Sequence, residues 1–100
     1  MTYIDDLAAQ IQNALPTAAL PEGDTSDLFR IYAVLLLVKG KDVTREDVHN
    51  AWVAWMVTKG EVHESMVPFA ELSPDTKDED SPFVDAIRSV ARSIAGRTTS

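Results

Sequence analysis

The chain has 100 residues and no cysteine, is 45% apolar and 25% charged, and carries a formal net charge of −7. This length supports one globular domain, and the lack of cysteine excludes a disulfide scaffold and a Cys-ligated metal site. The acidic start and the short apolar run at residues 31–38 predict a cytoplasmic protein with no membrane span. Because nonspecific binding to nucleic acid requires basic side chains, the charge argues against that partner.

The first two predicted helices lie at 2–16 and between 24 and 40. Thr2 is an N-cap with Asp5 in the capping-box position, and Pro16 ends the first helix. Its apolar stripe has helical spacing and comprises Ile4, Leu7, Ala8, Ile11 and Leu15. The second helix begins within residues 24–27 and ends at Gly40. Its residues are apolar all round, which predicts a central helix covered on every side.

The third predicted helix has clear signals at both ends. Thr44 is its N-cap, Asp47 lies in the capping-box position, and Gly60 follows its last turn. Its main apolar stripe comprises Val48, Ala51, Trp52, Trp55 and Met56. Val53 and Val57 lie four residues apart on a different face, so this helix needs cover on a second side.

The last helix is predicted to begin with Ser81 as the cap and Pro82 in the first helical position, and to end at Gly96. Its apolar face comprises Phe83, Ile87, Val90, Ala91 and Ile94. The pair Ser73 and Pro74 repeats the cap-then-proline pattern and predicts a short helical turn before it.

These elements predict an all-α, small four-helix domain with an extra short helical turn before the last helix. The single domain spans residues 1–96, and residues 97–100 form a disordered tail. The apolar second helix and the stripe of Val53 and Val57 exceed what the remaining helices can cover, which predicts a homodimer.

Candidate catalytic and metal groups are few. His49 and His63 lack the spacing of zinc ligands, so we expect no metal site and no cofactor. The adjacent residues His63, Glu64 and Ser65 cannot form the catalytic line of a serine hydrolase, which is assembled from separate segments. The acids of residues 75–80 lack the spacing of a calcium loop and are interpreted as a solvated turn. The chain is therefore predicted not to be an enzyme.

One segment resembles a known family. Residues 63–74, followed by Lys77, Asp80 and residues 83–87, are similar to the end of the RyR domain, named for the repeats of ryanodine receptors and also found in bacterial and phage proteins. The resemblance covers about residues 49–92. The whole chain is also similar to small proteins of actinobacterial phages and their hosts. The resemblance implies sensing of a nucleotide-type ligand in phage–host conflict, in the host cytoplasm if a phage encodes the protein.

The same segment has a structural interpretation. It predicts a buried plug that packs on Trp52 and on the last helix. The plug comprises Val67, Pro68, Phe69 and Leu72.

Two functions follow from these observations. The first is a non-enzymatic protein that binds or sequesters a small nucleotide-type ligand. Trp52 or Trp55 would stack on the ligand, His63 would donate or accept a hydrogen bond, and Arg88 with Arg92 would bind phosphate. Alternatively, the two tryptophans belong to the core. The second function is a protein–protein interaction module that acts as a homo-oligomer or binds a host protein.

Overall fold

The structure is a computed structural model that describes residues 2–98, with side chains through residue 96. These residues contain no strand, and the all-α class is confirmed with four main helices and one short helix. The helices are α1 (Tyr3–Ala14), α2 (Ser26–Lys39), α3 (Arg45–Thr58), α4 (Pro74–Asp78) and α5 (Ser81–Thr98). None of these helices is both long enough and apolar enough to cross a membrane.

Two predicted capping boxes are confirmed at the starts of α1 and α3. The Thr2 hydroxyl accepts from the Asp5 amide at 3.4 Å, and the Asp5 carboxylate accepts from the Thr2 amide at 3.2 Å. Thr44 and Asp47 make the same reciprocal pair at 3.2 and 3.0 Å. Each pair satisfies amides that have no partner within the helix, so local sequence determines both starts.

The core lies where α2 packs against α1, α3 and α5, with α1 also packed on α5. Each of these helices contributes apolar side chains from the stripe that faces the others. The most deeply buried large side chains are Ile11, Leu28, Phe29, Tyr32, Val43, Val48 and Ile87. The rings of Phe29 and Tyr32 meet edge to face, with centroids 5.7 Å apart, an arrangement that aromatic pairs favour.

The outer face of α2 differs from the prediction. Val34, Leu37 and Val38 are 49%, 52% and 73% exposed. The prediction that α2 is covered on every side is therefore wrong for the single chain, because its three helical neighbours leave this side open. On α3, Val53 is half-buried and Val57 is exposed, so the second stripe of that helix is covered only in part.

The start of α5 lies one residue earlier than predicted. Ser81 is the first helical residue rather than the cap, because the carbonyl of Asp80 already accepts from the Val84 amide at 3.1 Å. The helix also continues beyond Gly96 to Thr98. The predicted disordered tail, residues 97–100, lies outside the residues whose side chains the structure describes.

The short helix α4 forms as predicted. The Ser73 hydroxyl accepts from the Thr76 amide at 3.2 Å, and Pro74 occupies the first turn, where its missing amide hydrogen is not needed.

The connecting segment, residues 59–73, joins α3 to α4 and does not form the predicted plug. None of the four predicted plug residues is buried: Val67, Pro68, Phe69 and Leu72. Instead, the Val67 carbonyl bonds to Nε2 of the buried His49 at 2.7 Å. The Phe69 ring lies near the surface between two cations, with Arg45 at 5.9 Å and Lys77 at 5.2 Å from its centroid. The segment is thus held by a hydrogen bond and by cation–π contacts.

Candidate functional site

A cavity of about 230 Å³ lies among α2, α3, the connecting segment, α4 and the start of α5. Its walls are mainly aromatic, since six rings line it. These rings belong to Tyr32, His49, Trp52, Trp55, His63 and Phe83. The apolar side chains of Pro21 and Leu28 and the polar side chains of Ser65, Thr76, Glu79 and Asp80 complete the lining.

The structure brings together three of the five predicted ligand-binding residues, Trp52, Trp55 and His63. The Trp52 ring lies nearly perpendicular to His63, at 86° and 5.4 Å between centroids, and stacks on His49 at 30° and 5.9 Å. Trp55 is buried and Trp52 is half-buried. Both tryptophans therefore belong to the packed interior and still present part of their surface to the cavity.

The other two predicted ligand-binding residues, Arg88 and Arg92, do not line the cavity, so the predicted cationic edge is wrong. Nε and Nη2 of Arg88 both donate to the Val43 carbonyl, at 3.1 and 2.8 Å. The reason is helical phase: at about 100° per residue, Arg88 lies about 140° around α5 from the cavity residue Phe83, and Arg92 about 180°. Arg92 is exposed on that far side.

Arg88 instead lines a second, open cleft of about 330 Å³ with Arg45 and Asp85. The Arg88 guanidinium is already bonded to a carbonyl there, and Arg45 is paired with Asp78 at 2.7 Å. Because both cations have partners and an acid lies beside them, the second cleft is a poor phosphate site.

Asp80 is the cavity residue that the sequence interpretation missed. Burial raises the pKa of its carboxyl to about 6, and the negative charge of Glu79 adds to the rise, while His49 and Arg45 oppose it. Neither Asp80 nor Glu79 forms an ion pair in the described part of the chain. The sequence contained a signal for this position. Asp80 directly precedes a helix that starts with Ser81 and Pro82, and an acid in that place is held at the helix N-terminus.

Tyr32 presents an unpaired hydroxyl to the cavity. Its side chain is only 2% exposed, yet its hydroxyl bonds to no other described residue. Every fully buried side-chain nitrogen or oxygen among residues 2–96 has a hydrogen-bond partner, so this hydroxyl must be open to the cavity. Burial raises the pKa of the Tyr32 phenol, and the nearby charge of Asp80 raises it further.

The ring of His49 is oriented by the connecting segment. Its Nε2 donates to the Val67 carbonyl at 2.7 Å, so in the neutral imidazole Nδ1 is the atom with a lone pair. His49 is 3% exposed and lines the cavity. Its Nδ1 has no hydrogen-bond partner among the described residues. Since every fully buried side-chain nitrogen in these residues has a partner, Nδ1 must be open to the cavity.

His63 and Ser65 are joined through the backbone amide and not through the serine hydroxyl. His63 Nδ1 accepts from the backbone amide of Ser65 at 3.0 Å, and neither imidazole bonds to the Ser65 hydroxyl among the contacts of residues 2–96. The described residues also contain no cluster of three or more His, Cys, Asp or Glu side chains able to hold a metal ion.

The comparisons with known proteins identify a family. Residues 2–92 match the family described as Domain of unknown function (DUF7701), and since the match covers most of the chain, the protein belongs to that family. The resemblance to the RyR domain was therefore wrong, because the family match indicates no such relationship. Neither the search of curated proteins nor the search of solved structures found a match.

Proposed function

We propose that this member of the DUF7701 family is a non-enzymatic binding protein that holds a small molecule in the cavity between α2, α3 and α5. The observation that carries the proposal is the convergence of unpaired polar groups on an aromatic cavity. Asp80, the Tyr32 hydroxyl and His49 Nδ1 line the same space, and a mostly apolar cavity with a few convergent polar groups is typical of small-molecule sites. A cytoplasmic location stays part of the proposal.

The ligand class differs from the nucleotide predicted from sequence. A phosphate needs cationic partners, and the cavity lining contains Glu79 and Asp80 but no Lys or Arg. The nucleotide and the role in phage–host conflict came from the RyR resemblance, which no longer supports them.

The test uses the two tryptophans, which are the only ones in the chain and both line the cavity. Their fluorescence and the melting temperature are followed against small aromatic and aliphatic compounds of positive, neutral and negative charge. A ligand at a hundred times its Kd should stabilise the fold by about 2.7 kcal/mol. If no compound of any charge changes either signal, the proposal is wrong.

A matched pair of variants locates the site. Ser65→Phe places a ring inside the cavity and should abolish the response to any compound that binds there. Ser89→Phe makes the same change on the exposed side of α5 and should leave binding intact. A response that survives in Ser65→Phe would place the ligand elsewhere.

The exposed face of α2 favours a second candidate function, a homo-oligomeric interaction module. Val34, Leu37 and Val38 form a contiguous apolar strip at helical spacing, and such strips in soluble proteins often contact a partner. Light scattering should then give a mass above the 11.0 kDa of one chain, and Leu37→Glu should restore the monomer. A monomer mass for the unaltered chain at high micromolar concentration would exclude this candidate.

A further inference from the structure

We infer that the ligand of this cavity is a small protonated amine, whose N–H groups donate to His49 Nδ1 and to the Asp80 carboxylate while its carbon skeleton lies among the aromatic rings. The inference rests on the proposed function, because it assigns a ligand class to the same cavity. The hydrogen-bonding capacity of the lining, its charge, its rings and its size all support it.

The unpaired groups of the cavity are mostly hydrogen-bond acceptors. The Asp80 carboxylate accepts no hydrogen bond and forms no ion pair among the described residues. In the neutral imidazole, His49 Nδ1 is an acceptor because Nε2 carries the proton donated to the Val67 carbonyl. The Tyr32 hydroxyl can accept as well as donate. A ligand that satisfies this set must bring several N–H or O–H donors, and an ammonium group brings up to three.

The charge of the lining has the sign that an ammonium ion needs. Glu79 and Asp80 are its acids, and no Lys or Arg lines the cavity. Three cations near it have other partners: Arg45 pairs with Asp78 at 2.7 Å, Lys77 lies over the Phe69 ring at 5.2 Å, and Lys59, whose Nζ lies over Trp55, pairs with Glu61 at 3.3 Å. An incoming cation would therefore meet negative charge from Glu79 and Asp80, which attracts it.

The aromatic walls also suit a cation. Ring faces are electron-rich, and rings set at steep angles surround an ammonium group on several sides. Trp52 and His63 meet at 86°, and Tyr32 and Phe83 at 46° with centroids 5.6 Å apart. The chain itself places an ammonium on one of these rings, since Lys59 Nζ lies 4.0 Å from the centroid of Trp55.

The size of the cavity restricts the ligand to small amines. Its volume of about 230 Å³ lies below the range of roughly 300 to 1,000 Å³ of pockets that bind drug-sized molecules. A single ring or short alkyl chain with one amino group fits this space. We commit to a free small amine as the ligand.

Three probes of the same shape and different charge provide the test: benzylamine, benzyl alcohol and sodium benzoate. Binding is measured by tryptophan fluorescence and calorimetry at pH 7.5, where benzylamine is protonated. Benzylamine should bind at least tenfold more tightly than benzyl alcohol, and benzoate should bind most weakly. Benzyltrimethylammonium, which has the charge but no N–H donor, should bind more weakly than benzylamine.

Two matched variants connect the preference to the proposed groups. Asp80→Asn removes the carboxylate proposed to accept from the amine and leaves Glu79 in place, and we expect it to bring the affinity for benzylamine down to that for benzyl alcohol. Asp75→Asn makes the same change on the exposed surface of α4 and should leave the preference intact. Far-ultraviolet circular dichroism confirms that both variants fold.

The outcomes separate this inference from the proposed function. If benzyl alcohol or benzoate binds as tightly as benzylamine, or if Asp80→Asn keeps the preference for the amine, the inference is wrong while the cavity remains a binding site. Tighter binding of benzyltrimethylammonium than of benzylamine would overturn the role of the N–H donors. Failure of every probe and every library compound would overturn the proposed function itself.

Discussion

In the bundle of α1, α2, α3 and α5, apolar side chains at helical spacing pack into one core, whereas the connecting segment of residues 59–73 has no buried side chain at all. The bundle is held by burial of apolar surface. The segment is held mainly by the bond from His49 to the Val67 carbonyl and by cations over the Phe69 ring, with the half-buried Met66 packed against the core. This difference explains where the cavity forms. The connecting segment is fixed mainly by polar contacts, so it does not fill the space between itself and the bundle.

The largest loss of stability is expected for Phe29→Ala in the bundle. Phe29 is 1% exposed and packs edge to face on Tyr32, so the truncation should lower the free energy of unfolding by about 3 to 5 kcal/mol. Urea unfolding measures the loss. A loss below about 1 kcal/mol would show that the core does not depend on this ring.

Phe69→Ala in the connecting segment should have a smaller effect, a loss of about 1 to 2 kcal/mol, because the ring is half-buried and its cation–π contacts contribute about 0.5 to 1 kcal/mol each. Phe69→Leu is the control, since it keeps an apolar side chain and removes only the ring. If Phe69→Ala equals Phe29→Ala in urea unfolding, the segment packs as part of the core and the comparison fails.

Thr44→Ala tests a contact that depends only on local sequence. The substitution removes the hydroxyl that accepts from the Asp47 amide and should lower the free energy of unfolding by about 1 kcal/mol. Thr44→Ser keeps the hydroxyl and should be close to the unaltered chain. Equal losses in the two variants would show that the methyl group, not the cap, matters here.

The sequence predicts the contacts that form between residues close together in the chain. The capping boxes and the start of α4 are contacts between residues three apart, so they could be predicted. The exposure of Leu37 and Val38 could not, because it depends on how many helices pack around α2. The direction of Arg88 was accessible from its helical phase relative to Phe83. Asp80 directly precedes α5, which the sequence could show, but only the packing of α4 and α5 turns this acid of a polar run toward the cavity.

Asp80 also connects the site to the pH dependence of stability. Its pKa of about 6 in the folded chain lies above the ordinary value of 3.8, so the folded state binds more protons than the unfolded state between these values. Stability should therefore fall as pH rises from about 4 to 6. Because Asp80 is partly exposed, we expect a change of only about 1 kcal/mol. The other ionisable groups around it are Tyr32 from α2, His49 from α3, His63 from the connecting segment and its neighbour Glu79, all in the same lining, together with the charge of Arg45.

The most direct measurement is the difference between Asp80→Asn and the unaltered chain in urea unfolding at pH 4 and pH 7.5, since this difference cancels the other titrating groups. An unpaired carboxylate retained for a ligand predicts that Asp80→Asn is about 1 kcal/mol more stable at pH 7.5, equally stable at pH 4, and at least tenfold weaker in benzylamine binding. If Asp80→Asn is less stable at pH 7.5 and binds benzylamine unchanged, Asp80 supports the fold and the cavity is not an amine site.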